Sequence, residues 1–184
     1  MIVEANEILE ELDSMENIDI KGHLSVMRDY ATKCEHVTEF GVRDVVSTWS
    51  WLSAGVKKIV AYDIYRPTHS RWQKFLSICE SNNVDFNFIL GNTLEIPVIE
   101  KTDLLFVDTL HTFNQVYGEL TRHAINVEKY LVFHDTHAPV HRAGSGIEVS
   151  SAITTYMNEN PGSWELSYES KESNGIAIYE RISI

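Results

Sequence analysis

The chain has 184 residues, enough for one domain with a sizeable core, and its 43% apolar content excludes disorder as the default. A formal charge of -12 works against nucleic-acid binding, because such a surface repels phosphate instead of displacing counterions. No apolar run approaches the roughly 20 residues that a membrane-spanning helix needs. The first residues, Met1 to Glu11, carry acids where a secretion signal needs a basic start, so the expectation is a cytoplasmic protein. Cys34 and Cys79 sit far apart on apolar helical faces and read as two buried free thiols.

Two helices come first. Ile2, Ala5, Leu9 and Leu12 share one stripe, and Leu24, Met27, Ala31 and Cys34 share another. His36 to Phe40 is the first strand. A helix follows with Val45, Val46, Trp49 and Leu52 inward, then a second strand over Lys58 to Tyr62. Trp72, Phe75, Leu76 and Cys79 make the next helical face. Strands over Asp85 to Leu90 and Asp103 to Val107 follow. Phe113, Val116, Tyr117, Leu120 and Ala124 then form a helical stripe, and Tyr130 to Phe133 is the fifth strand. These five strands are near-continuous apolar runs, the pattern of parallel strands covered on both faces. Strand–helix alternation of this kind predicts an α/β, doubly wound sheet. A last helix spans about Ile147 to Asn158 and stops at Pro161-Gly162. Trp164 to Glu169 and Ile176 to Tyr179, joined through Asn174-Gly175, can pair only as an antiparallel hairpin. The whole chain reads as a single domain, with N-terminal helices over 1–35 and the sheet over 36–184.

In an open parallel sheet, ligands bind beyond the carboxyl ends of the strands. Glu39, Gly41, Arg43, Asp44, Ser47 and Thr48 follow or end the first strand, and Asp63 follows the second. Gly91 and Asn92 follow the third, Asp108 and His111 the fourth, and His134, Asp135 and His137 the fifth. An acid at the position of Asp63 commonly holds ribose hydroxyls. Gly41 lets the backbone approach a ligand beside a helix N-terminus. Asp108 and His111 can face one cavity, where Asp135 completes a carboxylate pair for a hard divalent cation and His111 takes a proton from a hydroxyl. His134 reads as a structural histidine turned into the sheet, His69 and His141 as surface residues, and His23, His36 and His123 carry no motif. The irregular stretch Ala138 to Gly146 suits a segment that folds over an acceptor or a plain surface connection.

Val37-Thr-Glu39-Phe-Gly41-Val-Arg43 followed by Val46-Ser47-Thr48 resembles the first motif of class I S-adenosylmethionine-dependent methyltransferases. Asp103-Leu-Leu-Phe-Val-Asp108-Thr-Leu-His111-Thr-Phe and Leu131-Val-Phe-His134-Asp135-Thr136 are similar to segments of the small branch related to macrocin and rhamnosyl O-methyltransferases and cephalosporin-hydroxylase-like proteins. The likeness covers about residues 22 to 181. It implies a Rossmann-like sheet of order 3-2-1-4-5-7-6 with helices on both faces. It implies S-adenosylmethionine as cofactor, held by Glu39, Gly41, Val42, Arg43, Ser47, Thr48, Asp63, Asn92, Thr93 and Asp108. Glu39 and Gly41 would hold the methionine part, Asp63 the ribose, and Gly91 to Thr93 the adenine. Metal-dependent relatives imply Mg²⁺ on Asp108 and Asp135, with His111 as base and Asp108 beside it. The expected activity is O-methylation of a small hydroxylated acceptor, such as a sugar or natural product.

The chain departs from the family pattern in places. Val45 stands where relatives usually carry a second glycine, and Thr136 where they often carry a second acid. A metal-assisted hydrolase built on Asp108, His111, Asp135 and His137, and a catalytically inactive cofactor-binding module, are the alternatives. The short chain leaves room for a homo-oligomer, with the two N-terminal helices packing on another subunit.

Overall fold

The computed structural model describes residues 2–139 and 144–182. In chain order the elements are α1 (Val3–Ser14), α2 (Leu24–Ala31), β1 (His36–Phe40), α3 (Thr48–Ala54), β2 (Lys58–Asp63), α4 (Arg71–Ser81), β3 (Asp85–Leu90) and β4 (Thr102–Val107). Then come α5 (Phe113–His123), a single 3-10 turn, β5 (Val127–His134), α6 (Gly146–Glu159), β6 (Trp164–Ser170) and β7 (Ile176–Arg181). The strands form one seven-stranded sheet of order β3-β2-β1-β4-β5-β7-β6. It is parallel from β3 through β5, and β7 then pairs antiparallel with both β5 and β6. The expected order and the closing hairpin are both present.

Alternate residues of each strand serve two separate cores. Val37, Ile59, Leu104, Phe106, Val132 and Ile178 face α1 to α4. Phe40, Val60, Leu105, Leu131 and Phe133 face α5 and α6. All seven residues of α3 are buried, because α1 and α2 cover its outer side and the sheet its inner side. Ala5, Leu9 and Leu12 of α1 and Leu24, Met27 and Ala31 of α2 are thus buried within this chain. Gly55 ends α3 in the left-handed conformation, φ 80°, at no steric cost. Cys34 and Cys79 are buried free thiols, both pushed up to about 12 by burial.

Three local expectations change. Val45 and Val46 are buried but lie in the turn before α3, which starts at Thr48. β5 begins at Val127, three residues before its apolar run, because Val127 pairs with Thr102 of β4, and Glu128 and Lys129 form the irregularity between that pair and Leu104 with Tyr130. β3 is not covered on both faces: Asp85, Asn87 and Leu90 are exposed. It is an edge strand, and no helix lies in its connection to β4.

Candidate active site

The loops leaving β1, β2, β3 and β4 meet at one end of the sheet around a cleft of about 550 Å³. Its walls include Gly41, Arg43, Asp63, Asn92, Thr93, Asp108 and Gln115. A smaller recess of about 130 Å³ adjoins it, lined by Asp19, Val42, Ser47 and His111. The two share Gly41, Arg43, Asp108 and Thr109 as common walls. A cleft of this size suits a nucleoside-sized ligand.

The turn after β1 is held by backbone geometry. Gly41 has φ 88°, and a Cβ there would overlap the carbonyl oxygen of Asp108. Glycine is therefore required twice, by dihedral angle and by space. Arg43 and Val45 also have positive φ, 42° and 57°. A buried β-branched residue in this region stores strain, of the order of 1–3 kcal/mol. Val45 thus combines a glycine-like backbone with a β-branched side chain. Asp63 fixes the turn from the neighbouring strand: its Oδ2 accepts from the Val42 and Arg43 amides at 2.8 and 2.9 Å, and its Oδ1 from the Tyr65 amide at 2.9 Å. Arg43 pairs with Asp19 across the recess at 3.1 Å.

The second feature is a cluster of ionisable side chains at the ends of β4 and β5. His111 Nε2 lies 2.8 Å from Asp135 Oδ2 and 3.4 Å from Asp108 Oδ1. His134 Nδ1 lies 3.3 Å from Asp135 Oδ2 and 3.6 Å from Asp108 Oδ2. Asp135 has φ 59°, a left-handed backbone that turns its carboxylate back toward Asp108. Burial disfavours charge on all four groups, but mutual attraction prevails. It holds His111 at about 9 and His134 at about 10, and both aspartates below the usual carboxylate range. One ligand atom each from Asp108, His111 and Asp135 lies within 4.8 Å of the others, a donor set that fits a divalent cation.

Two further acids are buried beneath the site. Glu39, fully buried under the start of α3, accepts from the Ser47 hydroxyl, and burial pushes it up to about 8. Glu119, on the inner face of α5, accepts from the hydroxyls of Thr93 and Thr109 and from the Gln115 amide at 2.8 Å. Burial pushes it up to about 7.

The structure brings Gly41, Val42, Arg43, Ser47, Asp63, Asn92, Thr93, Asp108 and His111 to the walls of the two cavities. Glu39 and Thr48 line neither; they are buried behind the turn and support it from below. The Asn92 side chain accepts from the Leu94 amide at 3.0 Å, so part of its bonding shapes its own turn. His134 corrects the sequence reading. Its Nε2 bonds the Ser173 carbonyl, as a structural histidine would, but its Nδ1 faces the two aspartates. His137 is exposed and bonds Thr136, outside the cluster. His69 is half-buried and accepts from the Arg71 amide, while His141 and positions 140–143 lie outside the described residues. The described far end of that stretch is tied down: the Ser145 amide donates to the His111 carbonyl at 2.8 Å. Glu119 and His134 are the site residues that sequence reasoning missed. Glu119 was findable, because Val116, Glu119, Leu120 and His123 fall on one helical stripe and all four are buried.

No protein-family model and no curated protein sequence matches the chain. Its Rossmann-like fold, with a cleft at the carboxyl ends of parallel strands, is similar to that of several solved methyltransferases. N-methyltransferase NodS from Bradyrhizobium japonicum WM9 shares 12% identity over 91% of this chain and 99% of its own, with a TM-score of 0.63. A candidate caffeoyl-CoA O-methyltransferase from Staphylococcus aureus shares 13% over 95% of this chain and 91% of its own, at 0.69. O-methyltransferase TomG from Streptomyces achromogenes, solved in complex with SAM, shares 13% over 99% of this chain and 89% of its own, at 0.61. At such identities the common property is the fold.

Proposed function

We propose that the chain is an S-adenosylmethionine-dependent methyltransferase that acts on a hydroxyl of a small acceptor. The observation that carries the reading is the continuity of the two cavities. The nucleoside-sized cleft over Asp63, Asn92 and Thr93 runs past Gly41 into a recess whose wall is His111. TomG and NodS are solved with SAM and S-adenosylhomocysteine, respectively, which supports the choice of ligand. The same neighbours include N- and O-methyltransferases, so the acceptor atom is argued from the Asp/His cluster alone.

In this reading Asp63 and the turn it fixes hold the ribose end. Gly41 and Arg43 flank the passage to the recess. The acceptor hydroxyl enters the recess and gives its proton to His111 in its neutral form, which prevails only above about pH 9, while its oxygen bonds the methyl carbon and the carbon–sulfur bond breaks with its pair left on sulfur. Alignment of the three atoms supplies much of the rate, since the sulfonium is already a good leaving group. Asp108 and Asp135 orient the imidazole and stabilise the imidazolium that forms. Asp108, Asp135 and His111 would also be the residues to hold a divalent ion, with Mg²⁺ or Mn²⁺ as the candidates. Such an ion would lower the acceptor hydroxyl's pKa. A His111 that ligates it through Nε2 cannot also be the base, so a metal requirement would pass that role to another group. Sugars and hydroxylated natural products are the acceptor classes of this reading, and the formal charge of -12 works against a nucleic-acid acceptor.

Thermal unfolding with S-adenosylhomocysteine, S-adenosylmethionine and Mg²⁺, each added alone, tests the assignment. A ligand present at 100 times its dissociation constant adds about 2.7 kcal/mol to stability. Stabilisation by the nucleosides is expected; stabilisation by metal alone would move the reading to a metal-assisted hydrolase. Mass-spectrometric detection of a 14-dalton gain over an acceptor panel then identifies the substrate.

A further inference from the structure

Asp135 is gripped by a part of the chain that lines neither cavity. The tip between β6 and β7 has three successive residues of positive φ: Ser173 at 45°, Asn174 at 69° and Gly175 at 87°. Such a run is uncommon where two of the residues carry a Cβ. It directs four consecutive carbonyls toward the ends of β5 and α2. The Glu172 carbonyl accepts from His23 Nε2 at 2.7 Å, and that of Ser173 from His134 Nε2 at 3.2 Å. The Asn174 carbonyl accepts the His137 amide at 2.6 Å, and that of Gly175 the Thr136 amide at 3.4 Å. His23 also meets the His134 ring edge-on, centroids 6.1 Å apart.

Asp135 is thus held from two sides. The amides of the next two residues fix its main chain. Its side chain faces His134 Nδ1, 3.3 Å from Oδ2, and the same oxygen meets His111 Nε2 at 2.8 Å. A carbonyl can only accept, so Ser173 requires the hydrogen on His134 Nε2 and leaves Nδ1 for the acid. A ring turned over would set carbon against both. His134 and Asp135 are almost fully buried. A Cβ at Gly175 would lie 2.6 Å from Thr136 Oγ1 and 2.8 Å from the His137 amide nitrogen, so the tip has no room to shift.

We infer that His134 is a positioning residue. Anchored by the β6–β7 tip, it holds the Asp135 carboxylate toward His111 and so, resting on the methyltransferase reading, sets the direction of the base. It lines neither the cleft nor the recess.

The test separates the two ring nitrogens. Glutamine carries its amide nitrogen where histidine carries Nε2, and asparagine where histidine carries Nδ1. His134→Gln therefore keeps a donor for Ser173 and loses the one facing Asp135, while His134→Asn does the reverse. Proton–nitrogen spectra of the histidine rings, with His111 assigned by its loss in His111→Ala, should show the His111 signals moved in His134→Gln and close to their original place in His134→Asn. Methyl transfer over the acceptor panel should slow by about tenfold or more in His134→Gln and by about threefold or less in His134→Asn, with S-adenosylhomocysteine affinity unchanged in both. A purely structural histidine would give the opposite order, since His134→Asn abandons Ser173. Gly175→Ala displaces the tip and leaves His134 in place; it should move the His111 signals too, and it decides the matter if His134→Gln does not fold. Gly162→Ala is the control: it has the same left-handed backbone with nothing within 4 Å of the new Cβ, so it should lower stability alone. Unmoved His111 signals in both His134→Gln and Gly175→Ala, or equal losses in the two His134 variants, overturn the inference. Failure of the unaltered protein to bind S-adenosylhomocysteine overturns the methyltransferase reading instead, and the ring signals still decide whether His134 places Asp135.

Discussion

The turn after β1 and the rim after β4 and β5 meet where Gly41 packs against the Asp108 carbonyl, yet they are built from different material. The turn is main chain: glycine at φ 88°, Val45 at φ 57°, and amides converging on Asp63. The rim is side chain: two carboxylates and two imidazoles between 2.8 and 3.6 Å apart. A main-chain device tolerates most changes of side chain but no added bulk. A side-chain device folds around many shapes but fails when one charge is lost. The two should therefore break differently.

The largest effect is expected at the rim. His111→Ala should slow methyl transfer by about 10²- to 10⁴-fold while S-adenosylhomocysteine binds as before. Single-turnover rates and calorimetry separate the two, and full-speed transfer would remove His111 as the base. In the turn, Gly41→Ala should lower nucleoside affinity by about 100-fold, because the new methyl group collides with the Asp108 carbonyl in a disfavoured conformation. Unchanged affinity would mean that the turn is not the rigid element. Asp63→Asn removes charge from three amide hydrogen bonds and should weaken binding by roughly tenfold in the same titration. The smallest effect concerns support beneath the turn. Glu39 is held at about 8 against an ordinary 4.5, so the native state keeps a proton that the unfolded chain releases. The stability it contributes is present at low pH and is lost as pH rises from 4.5 to about 8. Glu39→Gln stays neutral, so its melting temperature should gain on the unaltered protein across that interval and hold a constant lead above it. A lead independent of pH would show that Glu39 is ionised in the fold.

The same contrast explains what could be read in the sequence. Strand positions, crossovers and helix faces follow from apolar periodicity, which survives as long as cores must be buried on both sides of a sheet, whereas the strand order is implied only by the family resemblance. β3 escapes that logic because it lies at an edge, where polar Asp85 and Asn87 meet water. Asp108, His111 and Asp135 were legible because strand ends in parallel sheets collect ligands. His134 was not, since its place in β5 gives no hint that one nitrogen bonds a distant carbonyl while the other faces an aspartate. Glu119 hides for a related reason: a glutamate within a helix looks like a surface residue until its neighbours on the stripe are seen to be buried. The strained Val45 is invisible from composition, because its cost is written in dihedral angle.

One contact described above reaches further than its size suggests. Because Gly41 abuts the Asp108 carbonyl with no room for even a methyl group, the two loops are mechanically a single part. Whatever shifts the nucleoside-side turn by a few tenths of an ångström must push the aspartate that steadies His111. Ligand grip and chemical step in this protein should therefore be hard to adjust separately. In the proposed methyltransferase, reshaping that turn to broaden the cofactor range should register first as a change in turnover.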